Sequence, residues 1–108
     1  MMWRTMTLAV LSAALAGGGV VVAQDLGDPA AGRRLAEAWC MECHAIGLKT
    51  VDGVRPGPDF AAIARRPKTT PLSLNVFLRS NHDNMPNFIL TRSQADDIVA
   101  YILTLAER

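Results

Sequence analysis

Cys40-Met41-Glu42-Cys43-His44 is the stretch on which the reading of this 108-residue chain turns. Two cysteines separated by two residues, with a histidine directly after the second, form the pattern of a covalent c-type haem attachment site. Each thiol can form a thioether with one haem vinyl group, and the adjacent imidazole can reach the iron as an axial ligand. Other chemistries use part of the same pattern. A bare Cys-x-x-Cys serves as a dithiol redox centre or a structural disulfide. A zinc site built from Cys40, Cys43, His44 and His82 has suitable ligand types, but it leaves the order of the motif unexplained.

Working outward, the chain opens Met1-Met2-Trp3-Arg4 and passes through Leu8-Ala9-Val10-Leu11 and Gly17-Gly18-Gly19. It then reaches Val21-Val22-Ala23 and turns polar at Gln24-Asp25. This is the layout of a secretory signal peptide, with cleavage expected after Ala23. The alternative is a retained membrane anchor, because the apolar run is close to bilayer-spanning length. The glycines and the small residue before the cut favour removal. The expected organisation is therefore a leader over 1–23 and one domain over 24–108, soluble after processing. Export to a bacterial periplasm also suits the thiols, since attachment to haem there captures cysteines that would otherwise be free to pair.

Residues 24–108 suffice for one domain but not for a generous apolar core. A buried haem would supply the missing interior. The whole chain carries 11 Lys and Arg against 10 Asp and Glu. Only Arg4 leaves with the leader, so the remaining side chains balance and nothing marks a nucleic-acid binder. Arg33, Arg34, Lys49, Arg55, Arg65, Arg66 and Lys68 crowd the earlier part, whereas Asp96, Asp97 and Glu107 come late. A docking patch and a scattered solvated face both fit that distribution.

The remaining pattern is helical. Asp28-Pro29 starts a helix, with an acceptor side chain for the exposed amides and a proline at the first helical position, and the helix is expected to run to Cys40. Leu35 and Trp39, four apart, can share its inward side, leaving Arg33, Arg34 and Glu37 wetter. Gly32 lowers helix propensity, so it either permits close approach by another helix or is a tolerated imperfection. A loop with Gly47, Asp52-Gly53 and Arg55-Pro56-Gly57-Pro58 follows, then a short buried turn around Phe60, Ile63 and Ala64. Pro71 to Arg79 reads as another short helix with the stripe Leu74, Phe77 and Leu78, expected to pack in the core. Ser80 to Asn87 is too polar and turn-prone for a central helix. Thr91 and Gln94 form a capping box for the last helix, which places Ile98, Val99, Tyr101, Ile102 and Leu105 at packing intervals. Tyr101 reads as a core residue with one polar edge, with a role as electron relay the lesser alternative.

A sixth iron ligand must come from few residues. Beyond the leader the chain has Met41, Met85 and, besides His44, only His82. Met41 is trapped between the attachment cysteines on the proximal side. Met85, in a turn-rich loop before Pro86, is the leading candidate. His82, between Asn81 and Asp83, is the competitor and would give a lower potential.

Taken together, the chain resembles the small bacterial class I monohaem cytochromes c. Gly32, Cys40-Met41-Glu42-Cys43-His44, Gly57-Pro58-Asp59-Phe60, Met85-Pro86, and Thr91 with Asp97-Ile98-Val99-Ala100-Tyr101-Ile102 carry the resemblance, in the family's order. It implies an all-α, compact class I fold, with helices and loops wrapped around one covalent haem c and its iron. Cys40 and Cys43 would attach the haem, and His44 and Met85 would ligate the iron. The Pro58 carbonyl would accept the proton on the noncoordinating nitrogen of His44. Gly32 and Tyr101 would meet where the first and last helices cross. Two departures stand out. Ala36 sits where the family commonly has an aromatic, with Trp39 or Phe60 available to fill the volume. No tryptophan lies between His44 and Met85 to bind a propionate, which leaves Arg65, Lys68 or Arg79 as candidates.

The resemblance implies one-electron transfer at a positive potential, by an electron carrier that is not itself a catalyst. Its partners would be periplasmic redox proteins or membrane respiratory complexes, met through a small transient interface near the haem edge. Trp39, Met41, Asn84 and Asn87 are candidates for that edge. The protein would be a monomer or a subunit. One alternative is a haem subunit of a larger periplasmic redox enzyme, which can use the same fold and electron chemistry; the other is a monohaem peroxidase or gas sensor, which needs an open or displaceable distal position.

Overall fold

In a computed structural model, the protein is described over residues 27–48, 53, 55–80 and 85–107. The leader, Lys49, Asp52, His82 and Asn84 lie outside the described residues. Four helices follow one another: α1 (Pro29–Trp39), α2 (Phe60–Ala64), α3 (Pro71–Arg79) and α4 (Arg92–Thr104), the last continued by a 3₁₀ turn over Leu105–Glu107. No strand occurs among the described residues. This is the all-α class I arrangement that the resemblance implies.

Local signals start the helices. Asp28 caps α1, its carboxylate accepting from the Ala30 amide at 2.9 Å, and Pro29 occupies the first turn. Thr91 and Gln94 cap α4 reciprocally, at 2.9 Å and 3.1 Å. A second capping box, which the sequence reading lacked, joins Thr70 and Ser73 at the start of α3. α1 ends one residue earlier than expected. Cys40 is its C-cap, with its amide donating to the Ala36 carbonyl at 2.8 Å.

The principal packing is α1 against α4. A Cβ at Gly32 would collide with the carbonyl of Asp97 and come within 2.9 Å of the Ile98 amide, so the two backbones touch there. The Asp28 amide adds a hydrogen bond to Asp97 Oδ1 at 2.7 Å. The floor directly beneath Gly32 is thus Asp97 and Ile98, a turn before Tyr101. Tyr101 is buried with its hydroxyl donating to the Ile46 carbonyl at 2.5 Å, and burial pushes its phenol up. That is the core residue with one polar edge.

Ile98, Val99, Ile102 and Leu105 are buried with Tyr101, and Phe60, Ala61, Ala64 and Leu74 join them from α2 and α3. The inward side of α1 includes Leu35, as expected, but not Trp39. Its buried positions are Gly32 and Ala36, and Leu35 is only partly buried. Trp39 is 38% exposed. It stacks with Phe88, the ring centroids 6.2 Å apart. The small residues win the inward face because the helices approach too closely to admit an indole.

Because the crossing leaves no room for a methyl group, Gly32→Ala is expected to lower stability by about 1–3 kcal/mol through overpacking. Gly47→Ala, where a Cβ meets nothing within 4 Å, should cost far less. Denaturant midpoints of the two variants provide the comparison.

Candidate haem site

The attachment motif lies on a turn that continues α1. The amides of Cys43 and His44 both donate to the Cys40 carbonyl, at 3.2 Å and 2.9 Å, which curls the chain so that Cys40, Cys43 and His44 line one cavity. The loop after it is strapped back onto this turn. The Gly57 amide donates to the Cys43 carbonyl at 2.7 Å, the Phe60 amide to the Ala45 carbonyl at 2.9 Å, and the Arg55 guanidinium to the Met41 carbonyl.

His44 is held from several directions. Its Nδ1 lies 2.7 Å from the Pro58 carbonyl oxygen, which accepts when Nδ1 carries the proton and leaves Nε2 as the nitrogen able to bind a metal. The Phe60 ring packs beside the imidazole at a centroid distance of 5.1 Å. Gly57 lies against it so closely that a Cβ would sit 2.5 Å from Cε1. The sequence displays the Gly-Pro pair, but only the folded chain shows that the glycine is needed for contact with His44.

The cavity measures about 730 Å³ and is reached by every described helix or its cap. Phe60 and Ile63 come from α2, Leu74, Phe77 and Leu78 from α3, and Ile102 from α4. The α3 stripe therefore lines a cavity wall rather than only packing in the core. Phe77 remains 55% exposed there. Met85 and Pro86 line the same cavity, while Met41 lines a smaller one of about 530 Å³ with Arg33, His44 and Tyr101.

Arg66 reaches the wall of the larger cavity; Arg65, Lys68 and Arg79 are not among its lining residues. The physical reason lies in the end of α2. The Arg66 amide donates to the Ile63 carbonyl at 3.2 Å, so a three-residue turn carries the side of Phe60 and Ile63 on to position 66. The spacing 60, 63, 66 was the available signal.

The residues fit a haem by several observations. An apolar cavity of this volume lies within the range of cofactor sites, two cysteines stand on its wall, and a histidine with one nitrogen engaged stands beside them. Cys40 and Cys43 are not joined to each other. Burial, followed by the nearby Cys43, pushes the Cys40 thiol up to about 11, the opposite of the lowered pKa that activates a dithiol redox pair. Among the described residues, no three His, Cys, Asp or Glu side chains converge to hold a metal ion. The arrangement suits covalent attachment of haem c, with its iron, better than zinc or disulfide exchange.

An all-α fold with a Cys-x-x-Cys-His turn on an apolar cavity defines a c-type cytochrome. Residues 27–102 match the family described as Cytochrome C oxidase, cbb3-type, subunit III, and the chain belongs to that family. It is also 40% identical over 78 residues to cytochrome c-552 of Bradyrhizobium diazoefficiens, an overlap covering 72% of this chain and 75% of that protein. No solved structure matches it. The protein is a small bacterial c-type cytochrome, an electron carrier rather than a catalyst.

Intact-mass measurement of protein made in cells competent for haem attachment should give the polypeptide, less any leader removed, plus one haem. Cys40→Ala/Cys43→Ala should lose that added mass entirely, while either single variant that still binds haem should show the red-shifted pyridine haemochrome of a single thioether.

Proposed function

We propose that this cytochrome is a one-electron carrier of the periplasm, exported through a leader over 1–23, with its haem iron held between His44 and Met85. The observation that carries the reading is that Met85 lines the larger cavity together with His44 and both cysteines, whereas Met41 meets His44 only in the smaller cavity, which neither cysteine lines. Bound haem supplies a ferric/ferrous couple. The protein's own work is to hold geometry. Pro58 orients His44 and raises its donor strength through Nδ1, and the thioether of Met85 favours the ferrous state more than an imidazole would, giving a positive potential. Phe60, Ile63, Leu74, Leu78 and Ile102, which wall the cavity, would shield a bound haem from water. His44 and Met85, if both held the iron in each redox state, would keep reorganisation small.

The partner in this reading is a membrane respiratory complex or a periplasmic redox protein. The family's description, an oxidase subunit, specifically favours a second reading, in which the domain is a haem subunit of a larger redox complex. Among the described residues no helix is long and apolar enough to cross a membrane. Co-purification from gently solubilised membranes separates the two: a stable complex supports the subunit reading, and recovery of the free protein supports the mobile carrier.

The ligand assignment is tested by spectroscopy. The ferric protein should show the weak near-infrared charge-transfer band of thioether ligation at neutral pH. Met85→Ala should abolish it and lower the potential, and absence of the band in the wild type would shift the assignment to His82 or an open site.

Arg66, on the cavity wall with the hydroxyl-bearing Thr69 and Ser73, would hold a haem propionate in this reading. Loss of its charge disfavours ferrous iron relative to ferric. Arg66→Gln is therefore expected to lower the midpoint potential by about 20–40 mV, equivalent to roughly 0.5–1 kcal/mol for one electron after solvent screening. Spectroelectrochemical titration measures the shift.

A further inference from the structure

We infer that Trp39 and Phe88 form an aromatic clasp that holds the Met85 segment over the cavity and slows displacement of the thioether by outside ligands. The inference rests on the reading of Met85 as an axial ligand. Residues 85–90 have neither helix nor strand, so no regular ladder of backbone bonds fixes them. Within the segment the Phe88 amide donates to the Pro86 carbonyl at 3.0 Å, a strictly local bond. Side chains of the segment join it to the rest of the fold. Leu90 packs at the edge of the core, while Ile89 is 97% exposed and buries almost nothing.

Phe88 supplies an anchor nearer to Met85. Its ring lies nearly parallel to that of Trp39, with an interplanar angle of 17° and centroids 6.2 Å apart. Trp39 is the last residue of α1 and directly precedes Cys40. The stack thus joins the attachment side of the cavity to the distal segment, one residue from Cys40 and three from Met85. It also accounts for an indole at the end of α1 that remains 38% exposed: its partner is the distal segment, not the α1–α4 core.

An aromatic pair of this kind changes an equilibrium by roughly two- to tenfold, so the effect belongs on how often Met85 leaves rather than on whether the domain folds. Haem-loaded protein is mixed in its ferric form with imidazole, and the capture rate is followed to saturation, where departure of Met85 limits it. Trp39→Ala and Phe88→Ala should each raise the saturated rate by roughly two- to tenfold, and the double variant should be no faster than the faster single. Trp39→Phe should stay close to wild type. Phe88→Leu keeps apolar bulk without the ring and should also accelerate capture, which guards against a variant that merely folds poorly.

Unchanged rates in the alanine variants, strictly additive effects, or a Phe88→Leu protein equal to wild type would overturn the clasp while the wild-type near-infrared band remains. Absence of that band, with imidazole capture that never saturates, would sink the Met85 assignment and the clasp together. The two failures are thus told apart in the wild-type protein.

Discussion

The contact on which the structure depends is the close approach of α1 and α4 at Gly32. No side chain separates the backbone there from Asp97 and Ile98, and the next inward position, Ala36, is fully buried. Cys40 follows Ala36 by four residues and so emerges on the same side, where it lines the cavity with Ile102 of α4. The place of the attachment turn is inherited from the helix crossing. The hydrogen bond from the Asp28 amide to Asp97 fixes the other end of the same contact. A domain this short has little core to spare, and a bound haem turns the apolar walls supplied by α2, α3 and α4 into interior.

What was legible in the sequence followed the range of each signal. Asp28-Pro29 and the Thr91/Gln94 box are local patterns and placed two helix starts correctly. The box at Thr70 escaped notice because its N3 partner is Ser73 rather than the usual Glu or Gln. On α1 the close approach offered for Gly32 is met and Leu35 packs against the core, but apolar periodicity also gives weight to Trp39, which turns outward, whereas close helix packing puts Ala36 innermost. The attachment pentapeptide announced its chemistry by itself. That Pro58 stands beside His44 was implied by the family resemblance, and no local rule predicts a contact across that loop. Arg66 differs from Arg65 by one residue of register, which depends on how α2 ends.

The site is supported unevenly, and the unevenness bears on electron transfer. His44 has its amide bound to the Cys40 carbonyl, its Nδ1 beside the Pro58 carbonyl, Phe60 packed beside its ring and Gly57 against its edge. These restraints come from segments already strapped to one another, so the imidazole cannot turn without disturbing the loop. The segment that carries Met85 is irregular and more exposed, between positions outside the described residues and the cap of α4. A one-electron carrier gains from axial ligands that stay put when the charge on iron changes, because displacement would add to the barrier for transfer. On the His44 side the fold enforces that constancy directly. On the other side, in the proposed His44/Met85 arrangement, it would draw on side-chain contacts such as the Trp39–Phe88 stack and on the strength of the ligand bond itself, so the distal segment is where substitutions within this fold would have most freedom to change potential, exchange of ligands and access to iron while the four-helix framework is left intact.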